Sequence, residues 1–150
     1  MKTIVTVVGL LSALATFLTF APRLSVQTEG SVRATDPFGT VFYLLNESSL
    51  AVHDINSSCD INNTTTTSSA YFDGVSVVGP DNHADILSGK HKMTLPCQRI
   101  MDLSNVATSA KLTIRVKYRP DWAWWYRTDT FPMQAEKTSD DKWIWKSTAN

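Results

Sequence analysis

One run of this sequence admits a single local structure. Over residues 110–119 the chain reads A-K-L-T-I-R-V-K-Y-R, so Leu112, Ile114, Val116 and Tyr118 alternate strictly with Thr113, Arg115, Lys117 and Arg119. A repeat of two places the first set on one face of a strand and the second on the other. The predicted element is a half-buried β-strand, apolar on its even-numbered side and charged or polar on its odd-numbered side. Such a strand belongs to an antiparallel sheet with one solvated face, and a second layer must cover the other. With 150 residues the chain has room for one domain and a short appendage.

The appendage is N-terminal. No charged residue occurs from Thr3 to Ala21, with Lys2 before the run and Arg23 after it. The run approaches the roughly 20 residues that cross a bilayer. Residues 1–21 are therefore expected to form a signal-anchor helix, with a removed signal peptide as the alternative. Ala13-Leu14-Ala15 has the spacing of a cleavage site, but a cut there leaves an apolar new terminus, and a cut after Ala21 puts Pro22 directly behind it. The membrane is thus the expected partner of residues 1–21. The domain is expected on the extracytoplasmic side, periplasmic or extracellular, and a secreted form is the alternative. Residues 22–36 read as a linker with a first strand at 24–28, and residues 37–150 as the sandwich.

Export bears on the chain's two cysteines, Cys59 and Cys97. Oxidising compartments make and keep disulfides, so the pair is expected to form one bridge. No C-x-x-C or paired-histidine spacing points to zinc instead. Lys plus Arg and Asp plus Glu are both 14, so no net basic field exists to hold nucleic acid.

Along the domain, residues 38–45 read as a strand, Asn46 to Ser49 as a turn, and residues 50–59 as the second strand of a hairpin. Residues 60–69, nearly all Asn, Thr and Ser, read as a mobile loop. A strand at 71–78 is interrupted at Asp73-Gly74, and Gly79-Pro80-Asp81-Asn82 and Leu87-Ser88-Gly89-Lys90 are turns. Residues 91–97 form a strand in which Met93, Leu95 and Cys97 share a face. Residues 98–109 read as a loop with at most a short helix. Pro120 ends the alternating strand, and residues 128–135 and 142–146 form a terminal hairpin whose first strand Pro132 marks as an edge or a bulge. The total is about seven to nine short strands.

A resemblance accompanies this order. An apolar strand ending in Asn46-Glu47-Ser48 comes first, then a strand ending in Cys59. The turn Leu87-x-Gly89-Lys90 precedes a strand ending in Pro96-Cys97, and Ile114-Arg115-Val116-x-Tyr118-Arg119-Pro120 precedes a Trp-rich segment. Over residues 37–146 the chain resembles small bacterial membrane-anchored proteins with an immunoglobulin-like domain. The resemblance implies an all-β fold, an immunoglobulin-like antiparallel β-sandwich preceded by one apolar helix. It implies export and a tether and transfers no catalytic residue. Immunoglobulin domains proper carry a Trp between their two cysteines, and this chain does not.

Trp122, Trp124, Trp125 and Tyr126 are the most informative functional residues. Exposed, they offer a surface for a protein, a sugar face or lipid headgroups; alternatively they cap the open end of the sandwich. Arg115, Lys117 and Arg119 form a basic stripe, which meets either an anionic partner or cross-strand carboxylates such as Asp129 and Glu136. His53-Asp54 and Asp81-x-His83-x-Asp85 would need further ligands from elsewhere to hold a metal, and the second, with Pro80 and Asn82, reads as a plain turn. Asn46, Asn56, Asn62 and Asn63 each begin an N-x-S/T triplet, which is either a glycan acceptor or ordinary loop composition. No G-x-S-x-G, H-E-x-x-H or P-loop is present, so no enzyme, metal or cofactor is expected. The expected function is that of a non-enzymatic tethered domain binding another protein as an accessory or scaffold subunit. The alternative is a secreted module that takes a small ligand or carbohydrate on the Trp-rich segment.

Overall fold

The computed structural model describes residues 21–29, 37–66, 71–77, 82–99, 107–140 and 142–148. The apolar run before Ala21 and the expected helix lie outside them, as do Gly79 to Asp81. Among the described residues no helix is long and apolar enough to cross a membrane. In chain order the strands are β1 (Leu24–Thr28), β2 (Phe42–Asn46), β3 (Val52–Thr66), β4 (Tyr71–Phe72), β5 (Val75–Val77), β6 (His83–Leu87), β7 (Lys92–Leu95), β8 (Ala107–Pro120), β9 (Arg127–Lys137) and β10 (Trp143–Ser147). Short 3-10 turns follow at Pro37–Gly39 and Pro96–Arg99.

β8 is the alternating strand, and it lies in the middle of the larger antiparallel sheet, ordered β10-β9-β8-β3. Leu112, Ile114, Val116 and Tyr118 are buried while Arg115 and Lys117 are exposed. β4, β5 and β6 lie end to end along the free side of β3 and make a single interrupted edge, in keeping with the expected number of strands. The break between β4 and β5 falls at Gly74, whose φ of 70° suits a residue without a Cβ. A second, three-stranded antiparallel sheet, β1-β2-β7, supplies the covering layer.

The two sheets meet over an apolar core and make the layers of a β-sandwich. Phe42, Leu44 and Leu95 come from the small sheet, and Ile55, Ile61, Ile114 and Val116 from the large one. Trp145 of β10 ties the layers, its ring 5.4 Å from that of Phe42 and 5.7 Å from that of Phe38. Its indole N–H donates to the carbonyl of Pro37 at 2.7 Å, so the one polar atom of a buried ring has a partner. The expected disulfide is present: Cys59 of β3 bonds Cys97 in the turn after β7, with their Cα atoms 5.7 Å apart.

Several local expectations are corrected. β2 and β3 do not form a hairpin, because β2 pairs with β1 and β7 while β3 pairs with β8. The segment between them crosses from one layer to the other. Asn46 turns it: its carboxamide donates to the carbonyls of Leu50 and Leu87, and its oxygen accepts from the backbone N–H and hydroxyl of Ser48. Residues 60–66 are no loop but the far half of β3, pairing with β8 from Asp60↔Thr113 to Thr66↔Ala107. Threonine is β-branched and favours strands, and Thr65 bonds the hydroxyls of Thr108 and Ser109 across the ladder, both at 2.8 Å. Residues 83–85, read as turn chemistry, open β6, and residues 107–109, read as loop, begin β8.

Pro132 also sits where an edge was expected and is not on one, since β9 lies between β8 and β10. Its carbonyl accepts from the N–H of Thr148 at 2.9 Å, just past the end of β10. The N–H and C=O of a strand residue point the same way, so the donor that proline lacks is missing toward Thr148, and no bond to β8 is lost.

Candidate functional site

β8 and β9 are joined by a turn that carries the aromatic cluster. The chain reverses at Asp121, the N–H of Ala123 donating to the carbonyl of Pro120 at 3.1 Å. Ala123 is the residue buried here, and the large rings are outside: Trp122 is 40% exposed, Trp124 86%, Trp125 42% and Tyr126 49%. Trp124 is thus no capping ring, while Trp122 and Trp125 each keep more than half of their surface covered. The rings are ordered against one another, Trp122 and Trp124 both standing edge-on to Trp125 at 5.4 and 5.7 Å. Such contacts hold exposed aromatics in place without burying them.

The base of the turn is built by β3. A register change between His53 and Asn56 accompanies a φ of 51° at Asp54, the backbone habit of a bulge. It lets Asp54 accept from Arg119 Nε at 2.9 Å and from the Tyr126 hydroxyl at 3.4 Å. The hydrogen bond from the Arg119 guanidinium holds the Asp54 carboxyl below its ordinary pKa, against an opposing push from burial. His53 meets Asp121 at 2.8 Å on the same base, and Lys117 lies over the Tyr126 ring at 4.8 Å.

The basic stripe therefore has partners, though not the two expected. Arg115 pairs with Asp60 at 2.8 Å, and the nearly buried Asp60 also accepts from the Ser76 hydroxyl. Asp129 instead accepts from the Tyr118 hydroxyl at 2.8 Å, and Glu136 pairs with Lys146 at 2.6 Å. Burial, reinforced by that bond to Asp129, pushes the Tyr118 phenol well above its ordinary pKa. Sequence reasoning misses Asp54 because it sits at a bulge in β3, and Asp60 because residues 60–66 read as loop rather than as strand.

The remaining candidates disperse. His83 bonds Asn56 and Asp85 at 3.2 and 3.1 Å, and among the described residues no group of three or more His, Cys, Asp or Glu could hold a metal. Asp81 lies outside the described residues. Of the triplet asparagines, Asn46 is buried, Asn62 donates to Thr113 Oγ1 at 2.7 Å, and Asn56 and Asn63 are exposed. Arg23, Leu45, Asn46, Glu47 and Lys90 line an open concavity.

A ring as exposed as Trp124 has little packing to lose. Trp124→Ala is expected to change unfolding free energy by less than about 0.5 kcal/mol. Urea unfolding checks this, and a loss above about 2 kcal/mol would make the ring a packing element. Comparison with models of protein families, with curated proteins and with solved structures finds no match.

Proposed function

We propose that this protein is a non-enzymatic, membrane-tethered domain of immunoglobulin-like build on the extracytoplasmic side of a membrane. In this reading it is an accessory or scaffold subunit that holds another protein by surface contact. The observation that carries it is one continuous surface, from Arg115 and Lys117 on the outer face of β8 to the exposed rings of Trp122, Trp124, Trp125 and Tyr126 at its end. Aromatic rings bring large area at low conformational cost to a protein or to a membrane interface, and the charged outer face of β8 beside them offers a protein complementary contacts. Here ion pairs and edge-on ring contacts already hold them, so little order remains to be imposed on binding. The disulfide supports an oxidising compartment, and the uncharged run from Thr3 to Ala21 supports the tether.

Purification of the full chain from native membranes tests the reading. The expected result is a mature protein whose intact mass retains Lys2, eluting with a stoichiometric protein that crosslinks to Lys117. A chain that elutes alone after crosslinking would remove the accessory role.

A further inference from the structure

We infer that the aromatic end faces the bilayer: Trp122, Trp124 and Trp125 seat in the headgroup layer of an anionic membrane, and Arg23 and Lys90 meet lipid phosphates beside them. The inference rests on the tether proposed above and names what the lower part of that surface touches, leaving Arg115 and Lys117 to a protein.

Bonds and register place the aromatic turn and the start of the domain at one end of the sandwich. The carbonyl of Arg23 accepts from the N–H of Glu47 at 2.8 Å, and Leu24 pairs with Asn46. Asn46 donates across the layers to the carbonyl of Leu87 at 3.1 Å. Leu87 pairs with Val52, and Val52 with Pro120, which opens the aromatic turn. Leu87 to Pro120 is two strand spacings, roughly 10 Å, along the end of the sheet. The opposite end, where Thr66 meets Ala107, is the length of the 14-residue β8 away, roughly 45 Å at the rise of a strand.

The tether cannot change this choice. Only Pro22 and Arg23 separate Ala21 from β1, and two residues plus their junctions reach roughly 10 Å when fully extended. Headgroups occupy about 5 to 8 Å on each side of the hydrocarbon. A chain whose apolar run ends at Ala21 thus brings its Arg23 end to the headgroup layer, while the far end stands clear.

The side chains at that end suit that layer. Trp and Tyr concentrate at membrane interfaces because their rings are apolar and their N–H and O–H groups are not. Arg23 and Lys90 line the concavity at the same end of the sandwich, the Lys90 ammonium donating to the carbonyl of Glu47. Cations at this depth gain from anionic lipid.

The chain carries its own probe. All five tryptophans lie at 122 or beyond, and Trp143 and Trp145 are buried. The full chain is reconstituted in phosphatidylcholine vesicles with or without phosphatidylglycerol, using lipids brominated near the headgroup end of their chains. Brominated lipid is expected to remove roughly half of the emission, more with phosphatidylglycerol present. In the triple variant Trp122→Phe, Trp124→Phe, Trp125→Phe, the quenching should vanish while Trp143 and Trp145 still report a folded core. Emission unaffected by brominated lipid would overturn the inference. A photo-crosslinker at position 124 in native membranes separates the readings. A lipid adduct supports the inference, whereas a protein adduct overturns it and leaves the accessory role standing. A soluble mature chain beginning after Ala21 removes the tether and the inference with it.

Discussion

Replacing Cys59 and Cys97 together by serine is expected to lower the unfolding free energy by about 4 kcal/mol. The bridge closes a loop with a sequence separation of 38, and a cross-link over such a loop removes that much freedom from the unfolded chain in the chain-entropy account. Its position adds weight to the figure. Cys97 follows the edge strand of the three-stranded sheet and Cys59 lies in the long β3 of the other, so the bond holds the two layers together. Both cysteines are buried, and two serine hydroxyls left there would each want a partner. Urea unfolding of the double variant beside the oxidised protein measures the loss. A difference below about 1 kcal/mol would mean that the core holds the layers without the bridge.

Asn46→Ala is expected to cost about 3 kcal/mol, although asparagine to alanine is a small change in volume. The Asn46 side chain is fully buried and serves two layers at once. Its removal strips the carbonyl of Leu87 of a donor at 3.1 Å and that of Leu50 of one at 2.9 Å, and it leaves the Ser48 N–H without its acceptor. Each buried group left unsatisfied costs about 1 to 3 kcal/mol. Ser48→Ala, which removes one hydroxyl from the same cluster, should cost about 1 kcal/mol. Equal effects of the two variants in urea unfolding would show that Asn46 does not organise the crossing. Gly89 packs on this cluster so closely that a Cβ there would stand 2.4 Å from the carbonyl oxygen of Ser49, which is why the turns at Asn46 and Gly89 need each other.

Those two turns show what the sequence made legible and what it did not. The alternation of Leu112, Ile114, Val116 and Tyr118 located the central strand because a period of two needs no knowledge of neighbours. Cys59 and Cys97 were paired by count and compartment alone. The turn at Asn46 was visible, but whether it closes a hairpin or carries the chain between layers depends on a bond to Leu87, 41 residues away. Residues 60–66 misled for a related reason. Their polar composition reads as loop, and only the hydroxyls of Thr108 and Ser109 and the ladder to β8 make a strand of them. At the site, the rings were legible, and the ion pairs beneath them were not. Asp54 faces Arg119 at a register shift that no local pattern announces, and Asp60 falls within residues 60–66, whose polar composition reads as loop rather than as a strand beside Arg115.

The interrupted margin formed by β4, β5 and β6 bears on how copies of this protein behave when crowded. A long unpaired strand invites a neighbour to extend the sheet and then a third copy to follow. Among the described residues this flank is broken into runs of two, three and five residues, which give an incoming chain no uninterrupted ladder to copy. Copies brought close together therefore find no extended template along this flank.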